Sequence, residues 1–267
     1  MLGNVLAKTL RDQRTALVWW TVGLIATCLL TTSFYPSVRD NAQSLTDVID
    51  TLPEGLRRAL LGAGADFFSA TGYLQARLFA FFVPLLLLIY AIGAGSRAIA
   101  SEEEHRTIDV LLSTPVPRRH VLLDKAVAMF GATAGLCVVI WAALAVTGPP
   151  FDVSVGLGRL AEAGVNAFLL AAAFGAIALA IGAGTGRRSL AVGVASGAAA
   201  GSYLLDVLAL SVDGLGWLER GTLFYYYRSS EALVRGLDPV NAAVLAVVAL
   251  VAVGIALVTF ERRDLAS

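Results

Sequence analysis

The sequence predicts an all-α integral membrane protein with six transmembrane helices and both termini on the cytoplasmic side. Three observations carry that reading. The chain is 57% hydrophobic and 15% charged with a mean hydropathy of +0.75, which no soluble surface tolerates. Its charges leave six long gaps, and its apolar runs, such as LLLLIYAI, lack the alternation of a β-barrel strand. The 20 basic and 20 acidic residues cancel, so no bulk field draws in nucleic acid.

Five stretches carry no charge: Thr15 to Val38, Leu78 to Ser96, Ala126 to Phe151, Ala163 to Gly186 and Pro239 to Phe260. A sixth, Ser189 to Val212, carries only Asp206. A hydrocarbon core of about 30 Å needs about 20 helical residues, so each stretch can span. The expected organisation is one transmembrane domain over residues 1–267, with spans at about 16–35, 74–100, 122–148, 160–185, 189–212 and 239–260. The first span begins too late and runs too long for a cleaved signal. Lys and Arg are denser on the side that holds both termini, which places that side in the cytoplasm.

Ahead of the first span, residues 1–14 put Leu2, Val5, Leu6 and Leu10 on one helical face and Lys8, Arg11, Asp12 and Arg14 on the other, the pattern of an interfacial helix. Residues 36–72 and 213–238 form extracellular loops. In the first, Pro53 opens a short amphipathic helix with Leu56, Leu60 and Leu61. In the second, Trp217 and the run Phe224 to Tyr227 read as interfacial anchors. Cys28 and Cys137 each lie in an apolar run and read as small buried hydrophobes.

The cytoplasmic connection at 101–120 is the most informative stretch. After Glu102, Glu103 and Glu104, Thr107 caps a short helix whose Ile108, Leu111 and Leu112 form an apolar stripe, ended by Pro115 and Pro117. Two turns of helix are marginal alone in water, so this one needs a surface: the headgroup region, its own bundle or another protein.

Within the spans, Gly193, Gly197 and Gly201 recur every four residues, as do Gly182 and Gly186, the spacing of close helix packing within one subunit or between two. Asp206 lies roughly 9 Å from the outer edge of its span and requires a partner or water. It is a candidate translocation-path residue or a structural polar group. Pro84 predicts a kink in the second span.

The stretch EEEHRTIDVLLSTPVPRR resembles the cytoplasmic connection of the permease subunits of ABC-2-type transporters, in particular the bacterial sodium-efflux and antibiotic-resistance-like branch. TGYLQARLFAFFVPLLL, LFYYY and FERRDL resemble that family's second span, last outer loop and C-terminal end. The resemblance implies that Thr107, Ile108, Val110, Leu111, Leu112 and Ser113 form a coupling helix that docks on a separate ATPase subunit. Glu102 to Glu104, Arg118 and Arg119 would flank that joint, and residues 1–14 would be the family's elbow helix. It further implies two ATPase subunits that hold ATP and Mg, none on this chain, and a second permease copy or homologue in the plasma membrane of a bacterium.

The residues themselves agree with ATP binding elsewhere: the only lysines, Lys8 and Lys125, follow no Gly-x-x-x-x-Gly. The expected function is the permease of an ATP-driven exporter of a small amphipathic molecule, lipid, peptide or ion. A gradient-driven carrier or channel would ordinarily show several intramembrane charges, and a membrane enzyme would need converging catalytic groups, whereas the only histidines are His105 and His120.

Overall fold

The computed structural model describes residues 5–41, 68–100, 117–211 and 216–263. Among these residues there is no strand. The helices are α1 (Val5–Asp40), α2 (Ala70–Ala98), α3 (Arg118–Thr147), α4 (Leu157–Thr185), α5 (Arg188–Ser211), the short α6 (Gly216–Glu219) and α7 (Leu223–Arg228), and α8 (Pro239–Arg262). The six long helices, α1 to α5 and α8, are each long and apolar enough to cross a membrane. The reading of six spans therefore stands.

The boundaries differ in two places. From Val5 onward, the stretch expected as a separate interfacial helix is the first part of one unbroken 36-residue helix that continues into the first span. No proline interrupts it before Pro36, and helix propagation across the boundary costs little. The helix also passes Pro36 and ends at Asp40, where Arg39 pairs with Asp40 and, across the bundle, with Asp152 in the α3–α4 turn at 3.0 Å. The short helix expected after Pro53 lies outside the described residues.

α4 is the central element, packed against α2, α3, α5 and α8, and two thirds of its most apolar window is buried. The corresponding windows of α1, α5 and α8 are only 17%, 22% and 28% buried, so these three helices present apolar faces outward. In a bilayer those faces meet lipid or another subunit.

The closest helix-to-helix approach at a glycine is between α2 and α4. A Cβ built on Gly95 would stand 2.2 Å from the Gly175 carbonyl oxygen, and one on Gly175 would stand 3.1 Å from the Ala91 Cβ. Only hydrogen at both positions lets these backbones touch. Gly182 continues the contact toward Ser96, whereas Gly186 adopts a left-handed φ of 67° and closes α4 so that α5 begins two residues later. By contrast, ideal Cβ atoms on Gly193, Gly197 and Gly201 meet nothing within 4 Å. Their four-residue stripe makes no close packing among the described residues.

Several hydroxyls inside the spans are satisfied locally, as suits a medium without water. The hydroxyls of Thr27, Thr31, Thr32, Thr133 and Thr259 each donate to a carbonyl four residues back. Cys28 and Cys137 are buried free thiols.

α2 departs from α-helical geometry over Gln75–Phe82, which form a π-helical segment. Val83 donates to Leu78, five residues back, and Pro84 follows with no N–H to give. The irregularity expected at Pro84 is thus a π segment placed immediately before it.

Candidate functional site

At the face opposite the chain termini, α6, α7 and the turns after them fold over the bundle. Thr222 caps α7 by accepting from the Tyr225 amide at 3.2 Å, and Asp238 caps α8 with Pro239 at its first position. These caps set the direction of α7, which then turns Phe224 and Tyr227 inward; both are buried. Asn166 of α4 donates to the Tyr227 carbonyl at 2.9 Å, and the Tyr227 phenol donates to the carbonyl of Phe79 in the π segment of α2. Half of the aromatic run expected to anchor at the interface is therefore core, because α7 lies across the bundle. Trp217 remains 74% exposed, as an anchor would be.

The same orientation of α7 brings Arg228 to Asp206. Arg228 Nε and Nη2 donate to the two carboxylate oxygens at 2.7 and 3.2 Å. Asp206 is almost fully buried, Arg228 is about a third exposed, and Glu219 Oε2 lies 3.8 Å from Arg228 Nη2. The partner required by an intramembrane acid is this arginine. The sequence showed the need but not the partner, which is supplied from a separate helix 22 residues later.

Two adjoining cavities lie beside this pair. One, of about 100 Å³, is lined by Gln75 and Ala80 of α2, Tyr203, Asp206 and Val207 of α5, and Phe224, Tyr227 and Arg228 of α7. The other, of about 220 Å³, is an apolar groove between α2 and α5. Its walls include Phe81, Pro84, Leu85, Leu88, Ile89 and Ile92 on one side, and Ser196, Ala199 and Ala200 on the other. Ala80, Tyr203 and Phe224 belong to both, so these three residues stand where the groove and the polar cavity adjoin. Phe81, Leu85 and Ile89 are open on their outer side.

Of the residues expected at the coupling joint, Glu102, Glu103, Glu104, Thr107, Ile108, Val110, Leu111, Leu112 and Ser113 lie outside the described residues. Arg118 opens α3 and donates to the Arg263 carbonyl at 3.0 Å, while Arg263 reaches the Ala183 carbonyl at 3.3 Å. The two arginines tie the ends of α3, α4 and α8 together at the face of the termini. Arg119 beside it is exposed. Among the described residues no cluster of three metal-ligating side chains occurs.

Six apolar spanning helices, α4 at their centre, with a polar cap at one face, define a multi-pass membrane protein. Residues 3–265 match the family model described as ABC-2 family transporter protein, and the chain belongs to that family. It is thus a permease component of an ABC transporter, a part of a membrane transport system and not itself an enzyme, and membership implies association with ABC ATPase subunits. No curated protein matches the chain.

Proposed function

We propose that this chain is the membrane half of an ATP-driven exporter that moves an amphipathic molecule along the groove between α2 and α5. The observation that carries the proposal is that this groove adjoins the polar cavity at Asp206 and Arg228 in a chain of this family. A passage with apolar walls and a polar end suits a substrate with both characters.

Two copies, or this chain and a homologue, would face each other through the thinly covered outer sides of α1, α5 or α8. The two-turn helix at Thr107 to Ser113 would seat its apolar stripe in the ATPase, and hydrolysis of ATP with Mg there would supply the work. For coupling, a two-state element must be biased from both ends. The π segment of α2, which borders both cavities and leads toward residues 101–116, is the element best placed to serve. Among the described residues the one acid buried within a span is held by an arginine, which argues against a gradient-driven carrier.

Affinity purification of the tagged chain in mild detergent should recover an ATP-hydrolysing subunit, and Leu111→Asp should release it while the monodisperse membrane fold persists. Unchanged recovery with Leu111→Asp would remove the docking role. Absence of any ATPase from the wild-type chain would remove the exporter reading.

A further inference from the structure

The two faces of the bundle treat their arginines differently. At the face opposite the termini, Arg39, Arg159, Arg228 and Arg235 are each paired with a carboxylate. At the face of the termini, Arg118 and Arg263 give guanidinium N–H groups to main-chain carbonyls instead. Arg119, Arg187 and Arg262 are exposed there, and among the described residues they form no ion pair. The acids on the same helix ends, Asp124 and Glu261, form none among the described residues either.

Packing puts these arginines at one level. Leu122 of α3, Ala183 of α4 and Phe260 of α8 are fully buried in one apolar cluster. About one helical turn nearer the terminal face, Arg118 precedes Leu122 by four residues and Arg263 follows Phe260 by three. On α5, the Ala191 Cβ would stand 3.8 Å from a Cβ on Gly182, and the Ala191 amide donates to the Arg187 carbonyl one turn earlier at 3.1 Å. The positive charge is therefore gathered just beyond the last buried layer, the depth at which headgroups begin.

Arg262 also tops an apolar strip. Val258, Ile255 and Val251 precede it by four, seven and eleven residues, so the four share one face of α8, and each of the three apolar side chains is about half exposed. From Arg262 to Val251 the strip runs roughly 16 Å at 1.5 Å per residue, close to one leaflet of a hydrocarbon core about 30 Å thick. Arginine forks suit a phosphodiester, and an exposed strip of leaflet length suits an acyl chain. A protein docking from the aqueous side would cover the arginines but leave the strip, which lies within a span, untouched.

We infer that the end of the bundle carrying Arg187 and Arg262 binds an anionic phospholipid, the guanidinium groups taking the phosphodiester and the Val251 to Val258 strip an acyl chain. This goes beyond the proposed function and does not rest on it. Juxtamembrane basic groups gain from an anionic leaflet and are screened by salt.

The test is native mass spectrometry of the full chain, purified in dodecyl maltoside and titrated with phosphatidylglycerol, phosphatidylcholine or glycerol phosphate. Phosphatidylglycerol should be retained ahead of the other two, and less so as salt rises. Arg187→Gln and Arg262→Gln should each weaken it by about fivefold, the scale of one basic side chain at an anionic surface. Arg159→Gln with Arg235→Gln, at the opposite face, should leave it unchanged, and thermal melts identify any variant that fails to fold. Equal retention of phosphatidylcholine, or an affinity indifferent to Arg187→Gln and Arg262→Gln, would overturn the assignment. Glycerol phosphate binding as tightly as the lipid would remove the role of the strip and overturn it too. So would loss of a co-purifying ATPase from these variants with lipid retention intact, which would give the arginines to a protein partner.

Discussion

The phenol of Tyr227 donates to the carbonyl of Phe79, 148 residues earlier, and completes a hydrogen bond that the backbone of α2 cannot make for itself. In an α-helix the Phe79 carbonyl would accept from Val83, but the π register commits that amide to Leu78. The next donor in π register would be residue 84, which is proline. An unmet carbonyl inside the bundle is expensive, and the cap helix α7 supplies the missing donor. Tyr227→Phe should therefore cost about 2 kcal/mol of stability, the scale of a buried acceptor left without its partner. Pro84→Ala returns a backbone N–H, so the penalty of Tyr227→Phe should shrink in the Pro84→Ala background. Thermal melts of the two single variants and the double variant in one detergent decide it, and strict additivity would mean that the phenol and the proline are unrelated.

The same hydroxyl sets an alkaline limit. Burial pushes the Tyr227 phenol well above the ordinary tyrosine range, with the Cys137 thiol adding to the effect. Its folded pKa exceeds the unfolded value of about 10, so its contribution to stability is complete below that pH and falls as pH rises further. Ultraviolet titration at the phenolate band should give the same number of ionising tyrosines for wild type and Tyr227→Phe until the fold opens. An extra phenolate in the wild type before unfolding would show the hydroxyl to be accessible.

Asp206 and Arg228 are not equivalent halves of their pair. The carboxylate is enclosed, while the guanidinium retains access to water. Arg228→Gln should cost about 3 kcal/mol, because it strands a buried charge. Asp206→Asn should cost about 1 kcal/mol, since the freed arginine remains partly solvated. The double replacement by Asn and Gln should be milder than Arg228→Gln alone. Equal penalties for the two single changes, read from melting in nanodiscs, would contradict this asymmetry.

What the sequence disclosed divides along the range of the interactions. The six spans were legible because a low-dielectric medium excludes charge along the whole length of each helix, and a run without charge is a local property. The need for a partner at Asp206 was legible for the same reason. Arg228 as that partner was not, because its position depends on the Thr222 cap and on Tyr227 reaching α2, contacts made across the bundle. The π segment was likewise hidden: Pro84 marks an irregularity, but whether the chain kinks or changes register depends on which distant donor meets Phe79. The aromatic run was misread in part because spacing alone does not tell the inner from the outer face of a six-residue helix.

The glycines show the same division and yield the last prediction. A four-residue repeat drew attention to Gly193, Gly197 and Gly201, yet the close approach inside the chain occurs at Gly95 and Gly175, which share no repeat because they sit on different helices. Gly95→Ala would drive a methyl into the Gly175 carbonyl, a backbone atom that cannot step aside without moving α4. It should cost 3 kcal/mol or more, beyond the roughly 1 to 3 kcal/mol usual for overpacking, and should lower the yield of folded protein. Gly197→Leu meets open space among the described residues and should leave the melting temperature of the single chain nearly unchanged. If the outward face of α5 meets a second permease, the same substitution should separate the copies. Size-exclusion chromatography with light scattering would then give half the wild-type protein mass. An unaltered dimer with Gly197→Leu would move the contact to another face, and an undisturbed fold with Gly95→Ala would deny the α2–α4 crossing its place at the centre of the bundle.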